Sequence, residues 1–277
     1  MRFVSVITAF LLVFLPCSAF AANSTLVDDT IRKAVELPQQ TEQAGLIDLL
    51  WELRAERGDC TLLVLTHFPQ GLGKNVDAAL AEVAKQDNGD GFLYVQEQSD
   101  FSLEHYLSGL AKTLGKSSEP ALPERTPRDW GNTYAYVTTW QIFRPSDKFV
   151  TVVFRHDMSG GAAHGNWAYR CLTFHVNTGS MLEFNDIFPD GEASENLLRQ
   201  RVMQALQMQK KAAGHASEIA EDDMDVNLLR LALTPEGMRV YYAPYEAGSF
   251  SEGEYVIDIP RNDLLKMGAA PSLWQET

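Results

Sequence analysis

Apolar residues recur along this chain at two spacings, and the change from one to the other divides it. In residues 23–57 the spacing is helical. Ile31 and Val35 stand at i, i+4 behind the capping and acidic residues of NSTLVDDT. After Pro38, Leu46, Leu50 and Leu53 line one stripe that Ile47 and Trp51 widen, and Gly58 supplies a stop. From Cys60 the pattern turns continuous and β-rich: CTLLVLTHFP predicts a buried strand, and NVDAALAEVAKQ behind it a helix through Val76, Leu80 and Val83. DNGDG turns the chain into a short strand, FLYVQE, and Ser102 caps a helix carrying Leu103, Leu107, Leu110 and Leu114.

The stretch KSSEPALPERTPRDWGN, rich in proline and charge, predicts a linker or long loop. Three strands follow: TYAYVTTWQIF, KFVTVVFRH and YRCLTFHV. The turn NTGS comes next, and then a long helix from about Ala193 to Ala212. The acidic EIAEDDMDVN is loop-like. A hairpin folds LLRLALT onto MRVYYAPY across Pro235-Glu236-Gly237, and EYVIDIP adds a strand before a short helix at NDLLKM. Strands in clusters, with no regular alternation of strand and helix, predict an α+β fold of mainly antiparallel sheets with packed helices. The expected divisions are 1–21, 22–59 (helical), and two α+β regions at 60–168 and 169–267.

The first division is a targeting signal. Arg2 precedes the apolar run FVSVITAFLLVFLP, and Ala19-Phe20-Ala21 forms an A-x-A cleavage site. The run is short for a membrane span, and Pro16 before Cys17 disfavours lipidation. No later stretch is long and apolar enough to span, so the expected product is exported, periplasmic or secreted, with no transmembrane segment. The net charge of −14 becomes −15 once Arg2 leaves with the leader, which disfavours nucleic acid and anionic lipid as partners and suits a cationic one. Two cysteines remain, Cys60 and Cys171. In an oxidising compartment they form either two buried thiols or one bridge closing a loop of about 110 residues, worth roughly 4 kcal/mol.

The glycine-rich MSGGAAHGNWAYR joins two of the predicted strands. Gly160 and Gly161 supply the backbone freedom of a turn. His164 lacks both a G-x-S-x-G nucleophile elbow and a recognisable orienting carboxylate, so it reads as a buried or partner-facing histidine rather than a base acting on Ser159 or Ser249. His156, Asp157, His164 and His175 do not have the tight spacing of zinc ligands. Asp223-Met224-Asp225 imitates an EF-hand opening, but Leu228 and Thr234 stand where glycine and glutamate are required. Asp87 to Gly91 reads as a hairpin turn. Gly71-Leu72-Gly73-Lys74 lacks the first glycine of a phosphate loop, and Asn75 replaces its magnesium-binding hydroxyl. No metal or cofactor is expected. Tyr241, Tyr242, Tyr245, Phe250 and Tyr255 surround Gly248 and Gly253, a composition suited either to recognition or to packing across a sheet.

Four segments, in order, are similar to the extracytoplasmic domains shared by the anti-sigma factor RsiV and the peptidoglycan deacetylase PdaC. They are LLVLTHFPQGLGKNVDAALAEV, the GGAAHG turn, TFHVNTGSMLEFNDIF and PYEAGSFSEGEYVIDIP. The similarity spans roughly Cys60 to Met267, PdaC-like to residue 168 and RsiV-like beyond. It departs at Ala162-Ala163, one residue longer before His164, and at His175, where the family usually has aspartate. The chain has neither the cytoplasmic segment and membrane helix of RsiV nor the deacetylase domain of PdaC. The resemblance therefore implies an exported, non-enzymatic module that binds a cationic wall-directed protein such as lysozyme, or peptidoglycan itself. Candidate contacts are His164, Asn166 and Trp167 beside the glycine corner, and Tyr245, Glu246 and Phe250 in the aromatic segment. The competing expectation is a hydrolase of wall glycan or peptide with paired carboxylates across a cleft.

Overall fold

Eleven-residue strands make up most of the described residues in the first half of the molecule. The computed structural model describes residues 27–37, 45–57, 60–86, 133–159, 165–216, 226 and 228–275. Six strands form one sheet in chain order: β1 (Val27–Leu37), β2 (Ile47–Arg57), β3 (Cys60–Gln70), β4 (Thr133–Phe143), β5 (Phe149–Ser159) and β6 (Asn166–His175). All neighbours run antiparallel except β3 and β4, a parallel pair that needs a crossover. Helix α1 (Lys74–Gln86) begins that crossover. Before it, Asp77 accepts from the backbone N–H of Gly71 and Leu72 at 3.2 and 3.1 Å, closing the loop whose glycines imitated a phosphate site.

Residues 27–37 and 47–57 correct the helical expectation for 22–59. The run IDLLWELRAER satisfies period two through Leu49, Trp51, Leu53 and Ala55 as well as it satisfies a helix. Pairing over its full length with β3, from Ile47 opposite Gln70 to Arg57 opposite Cys60, decides between them. Non-local hydrogen bonding overrides a local spacing that fits both states. The expected boundary between Ala168 and Tyr169 falls inside β6, so the sheet runs across it.

A second, antiparallel sheet contains β7 (Leu231–Thr234), β8 (Gly237–Tyr242) and β9 (Tyr255–Pro260). Alternation sorts its residues. Leu231, Leu233, Met238, Val240, Tyr242, Ile257 and Ile259 join Leu198, Val202 and Leu206 of helix α3 (Glu192–Ala212) in one core. The short helices α2 (Phe184–Ile187) and α4 (Arg261–Lys266) contribute Ile187 and Leu264 to it. The opposite face, through Ala232 and Tyr241, packs on Val153 and Cys171 of the large sheet. The large sheet's other face buries Phe68, Val150, Val152, Phe154, Leu172 and Phe174 with Val76, Leu80 and Ala84 of α1. The order of layers is helix, sheet, sheet, helix: an α+β fold dominated by antiparallel pairing. Among the described residues no helix is long and apolar enough to cross a membrane.

This arrangement removes the expected Cys60–Cys171 bridge. Cys171 is a free, buried thiol, and through Val153 and Gln141 the register sets it level with the Pro69 end of β3, far from Cys60. Nine residues of strand are about 30 Å, against the few ångströms a disulfide spans. The expected leader 1–21, the predicted elements between residues 87 and 132, the segment Gly160–His164 and the acidic stretch 217–225 lie outside the described residues.

Candidate recognition site

Two cross-strand pairs on one face of the large sheet found the site. The register sets Arg155 opposite Tyr169 and Asp157 opposite Trp167, so i, i+2 spacing on both strands brings four functional side chains together. Arg155 donates from Nε to both oxygens of Asp157 at 3.1 Å and from Nη2 to Oδ1 at 3.0 Å. Its guanidinium lies 4.8 Å from the centre of the Trp167 ring and 5.8 Å from that of Tyr169.

The second sheet delivers the rest on the loop from Ala243 to Glu254. Glu254 Oε2 accepts from Trp167 Nε1 at 2.7 Å and from the Tyr169 hydroxyl at 2.5 Å, with Arg155 Nη1 at 3.5 Å. Arg155 Nη1 also donates to the Tyr169 oxygen at 3.2 Å. Burial, and next the Glu254 hydrogen bond, hold the Tyr169 phenol above its ordinary pKa, so it stays a donor. Burial would lower the Arg155 pKa, but Asp157, Tyr169 and Glu254 together raise it. Beside this cluster the sheets part around a groove of about 320 Å³, which Thr139, Gln141, Arg155, Arg239, Tyr241 and Glu254 help to line. Tyr241 stacks on Tyr169 with centres 4.5 Å apart, and burial pushes its phenol up to about 12.

An aromatic ledge continues from Trp167 onto the Ala243–Glu254 loop. Phe250 meets the Trp167 ring edge-on at 6.0 Å, and Tyr245 lies 5.8 Å from Phe250. Tyr245 is 60 % exposed and has φ of 72°, a left-handed backbone that costs a bulky residue about 1 kcal/mol. Three of the predicted contacts, Trp167, Tyr245 and Phe250, thus converge from segments some eighty residues apart. Glu246 has a different position: its carboxylate accepts from the Ala243 N–H at 2.6 Å and pairs with Arg230, bracing the turn that carries Tyr245. Asn166 sits at the strand end opposite Met158, and His164, Gly160 and Gly161 lie outside the described residues. Sequence reasoning missed Arg155 and Tyr169, whose signal was the alternation R-x-D facing W-x-Y, and Glu254, which no local pattern marks.

The loop is clamped from beneath by α3. Lys210, itself buried, donates to the Ala247 carbonyl at 2.6 Å and meets Glu252 Oε2 at 3.0 Å. Tyr255 donates to the same oxygen at 2.7 Å. Tyr255, the Ser249 backbone N–H and Lys210 hold the Glu252 carboxyl down at about 2, while burial and then Glu252 push Tyr255 up to about 12.

The described candidate histidines, His156 and His175, do not converge. His156 stands opposite Ala168 and His175 opposite Phe149, at different ends of the paired strands. His156 is buried between Tyr136 and Thr138, 2.8 Å from the Thr138 hydroxyl, and His175 meets Phe149 edge-on. Among the described residues no three His, Cys, Asp or Glu side chains are grouped to hold a metal. Glu254, which lines the groove, and Asp157 both engage Arg155, and Asp258 pairs with Arg239 of the groove wall.

Residues 185–262 match the model of a protein family of unknown function, DUF3298. The fold is similar to crystal structures of two DUF3298 family proteins. One, from Pseudomonas aeruginosa PAO1, is 14 % identical, with TM-score 0.53 over 83 % of this chain and 95 % of that one. The other, from Bacteroides fragilis, is 16 % identical, with TM-score 0.53 over 82 % of this chain and 95 % of that one. No curated protein matches the chain.

Proposed function

We propose that the protein is an exported, non-catalytic binding module that docks a cationic wall-directed protein of the lysozyme type on the Tyr245–Phe250–Trp167 ledge. The observation that carries this reading is Tyr245: a large ring, mostly exposed and held in a strained conformation by the Glu246–Arg230 brace. Strain at an exposed aromatic is a mark of function rather than of stability. Rings of this kind bring contact area at low entropic cost. The acidic chain steers a cationic partner toward this surface. The leader-like residues 1–21 supply the export part of the proposal.

Titration calorimetry of the chain lacking residues 1–21 against lysozyme, at low and high salt, tests it. Binding is expected to weaken as salt rises, and Tyr245→Ala or Phe250→Ala to weaken it about thirtyfold, the loss of an anchor worth about 2 kcal/mol. Thermal midpoints should stay within a degree or two. No heat with lysozyme at low salt overturns the cationic partner. Retention on isolated peptidoglycan sacculi alone would make the wall itself the ligand, and release of soluble fragments from them would replace binding by hydrolysis.

A further inference from the structure

We infer that Arg155, Tyr169 and Trp167 form a carboxylate-binding cradle at the mouth of the inter-sheet groove, occupied in cis by Glu254. The inference concerns a small ligand and does not depend on what docks on the ledge. Three donors of different chemistry, an indole N–H, a phenol and a guanidinium, point at one oxygen of Glu254. Such convergence exceeds what fastening a loop requires, since the loop is already held two residues earlier by Glu252 and eight residues earlier by Glu246. The donors belong to one strand pair and have contacts besides Glu254: Asp157 holds Arg155, whose guanidinium lies over Trp167, and Tyr241 stacks on Tyr169.

The geometry also allows exchange. The Glu254 side chain is one-third exposed, so rotation about its side-chain bonds carries the carboxylate into solvent with no backbone movement. Gly253 ahead of it has φ of 79° and open space where a Cβ would stand, so no side chain there blocks the way. The groove beside the cradle is also lined by Arg239, whose guanidinium is held by Asp258 at 2.7 and 3.1 Å, so Arg155 is the cation that meets an entering carboxylate. A free carboxylate entering the cradle would exchange one set of charge-assisted hydrogen bonds for an equal one. Glu254 competes by proximity and lowers the apparent affinity, as any tethered ligand does.

The experiment titrates sodium acetate and sodium propionate into the wild-type chain, Glu254→Ala and Glu254→Gln, with sodium chloride at matched ionic strength as reference. Tryptophan fluorescence is read, and Trp167→Phe assigns the signal. Removing the tethered carboxylate is expected to tighten acetate binding at least tenfold over wild type in both variants, with a saturable Trp167 response. Arg155→Lys or Tyr169→Phe in the Glu254→Gln background is expected to abolish it. Wild type should give the same saturable change at higher acetate. If neither folded variant responds to acetate or propionate beyond the chloride reference, the cradle does not exist. A response in the variants with none in wild type overturns the exchange, and phosphate binding as tightly as acetate overturns the assignment to carboxylates.

Discussion

Replacing His156 by phenylalanine should remove a defined part of the protein's sensitivity to acid. The imidazole is 3 % exposed, stacks against Tyr136 and lies 2.8 Å from the Thr138 hydroxyl. Burial drives its pKa from 6.5 down to about 4, against a smaller upward pull from Asp157. The folded chain thus keeps His156 neutral while the unfolded chain protonates it. Stability from this residue is whole above pH 6.5 and is lost as pH falls from there to about 4. At 1.36 kcal/mol per unit, the full loss is about 3 kcal/mol, of which about 2 kcal/mol has gone between pH 7 and pH 5. Urea unfolding at those two pH values, followed by circular dichroism at constant ionic strength, reads it directly. The other titrating groups are common to both proteins and cancel in the difference. His156→Phe should lose about 2 kcal/mol less than wild type over this interval, at unchanged m-value, whatever its stability at pH 7. Equal losses in the two proteins would refute the neutral buried histidine.

Glu252 has the opposite charge type and a lower window. Its folded pKa of about 2 lies below the ordinary carboxylate value, so its contribution is present above about pH 4.5 and disappears toward pH 2. Glu252→Gln should flatten that acid limb and, at neutral pH, speed amide exchange between Ala243 and Glu254. Gly179→Ala should destabilise by about 2–4 kcal/mol in denaturant unfolding, because φ is +72° and a Cβ would stand 2.3 Å from the Asn75 carbonyl oxygen. Dithiothreitol should leave the thermal midpoint unchanged, and Cys171, whose thiol burial pushes up, should resist iodoacetamide until the chain unfolds. Tyr245→Gly should leave the midpoint unchanged or raise it by a few degrees while weakening partner binding, since glycine occupies φ of 72° without strain.

Much of the second half of the fold could be read from hydrophobic pattern because there pattern and pairing agree. Thr133 to Phe143 and the helix ending at Ala212 match their predicted limits, and the hairpin across Pro235-Glu236-Gly237 turns where its residues require. The first sixty residues carry no such agreement. Leu46, Leu50 and Leu53 support a helix, Leu49, Trp51 and Leu53 a strand, and only β3, a partner outside the window, separates them. The same non-locality hid the fate of the cysteines: in strand-like segments a bridge and two buried thiols read equally well until register set Cys60 and Cys171 far apart. At the site, Trp167, Tyr245 and Phe250 could be picked out as aromatics in turn-rich segments. The contact of Arg155 with Glu254 joins residues 99 apart on different sheets, and no local pattern encodes it.

The charge of the ledge loop shows how far composition misleads about mechanism. By composition alone its three glutamates, with no basic residue between Ala243 and Glu254, would make an acidic patch. Each is instead bound to a different element: Glu246 to Arg230, Glu252 to Lys210 and Tyr255, Glu254 to Trp167, Tyr169 and Arg155. Their charge is largely answered within the molecule, so attraction of a cationic partner must come from the remaining acidic surface, beyond the first layer of contact. What the Glu246 and Glu252 tethers do is remove conformational freedom from the loop before any partner arrives, which lowers the entropic cost of ordering Tyr245 and Phe250 in a complex. Salt should therefore act on the rate of association, through the distant charge, whereas loss of a ring or a tether should act on the lifetime of the complex. Stopped-flow mixing with lysozyme separates the two: a Phe250→Ala variant whose dissociation rate matches wild type would show that the ledge is not the anchor.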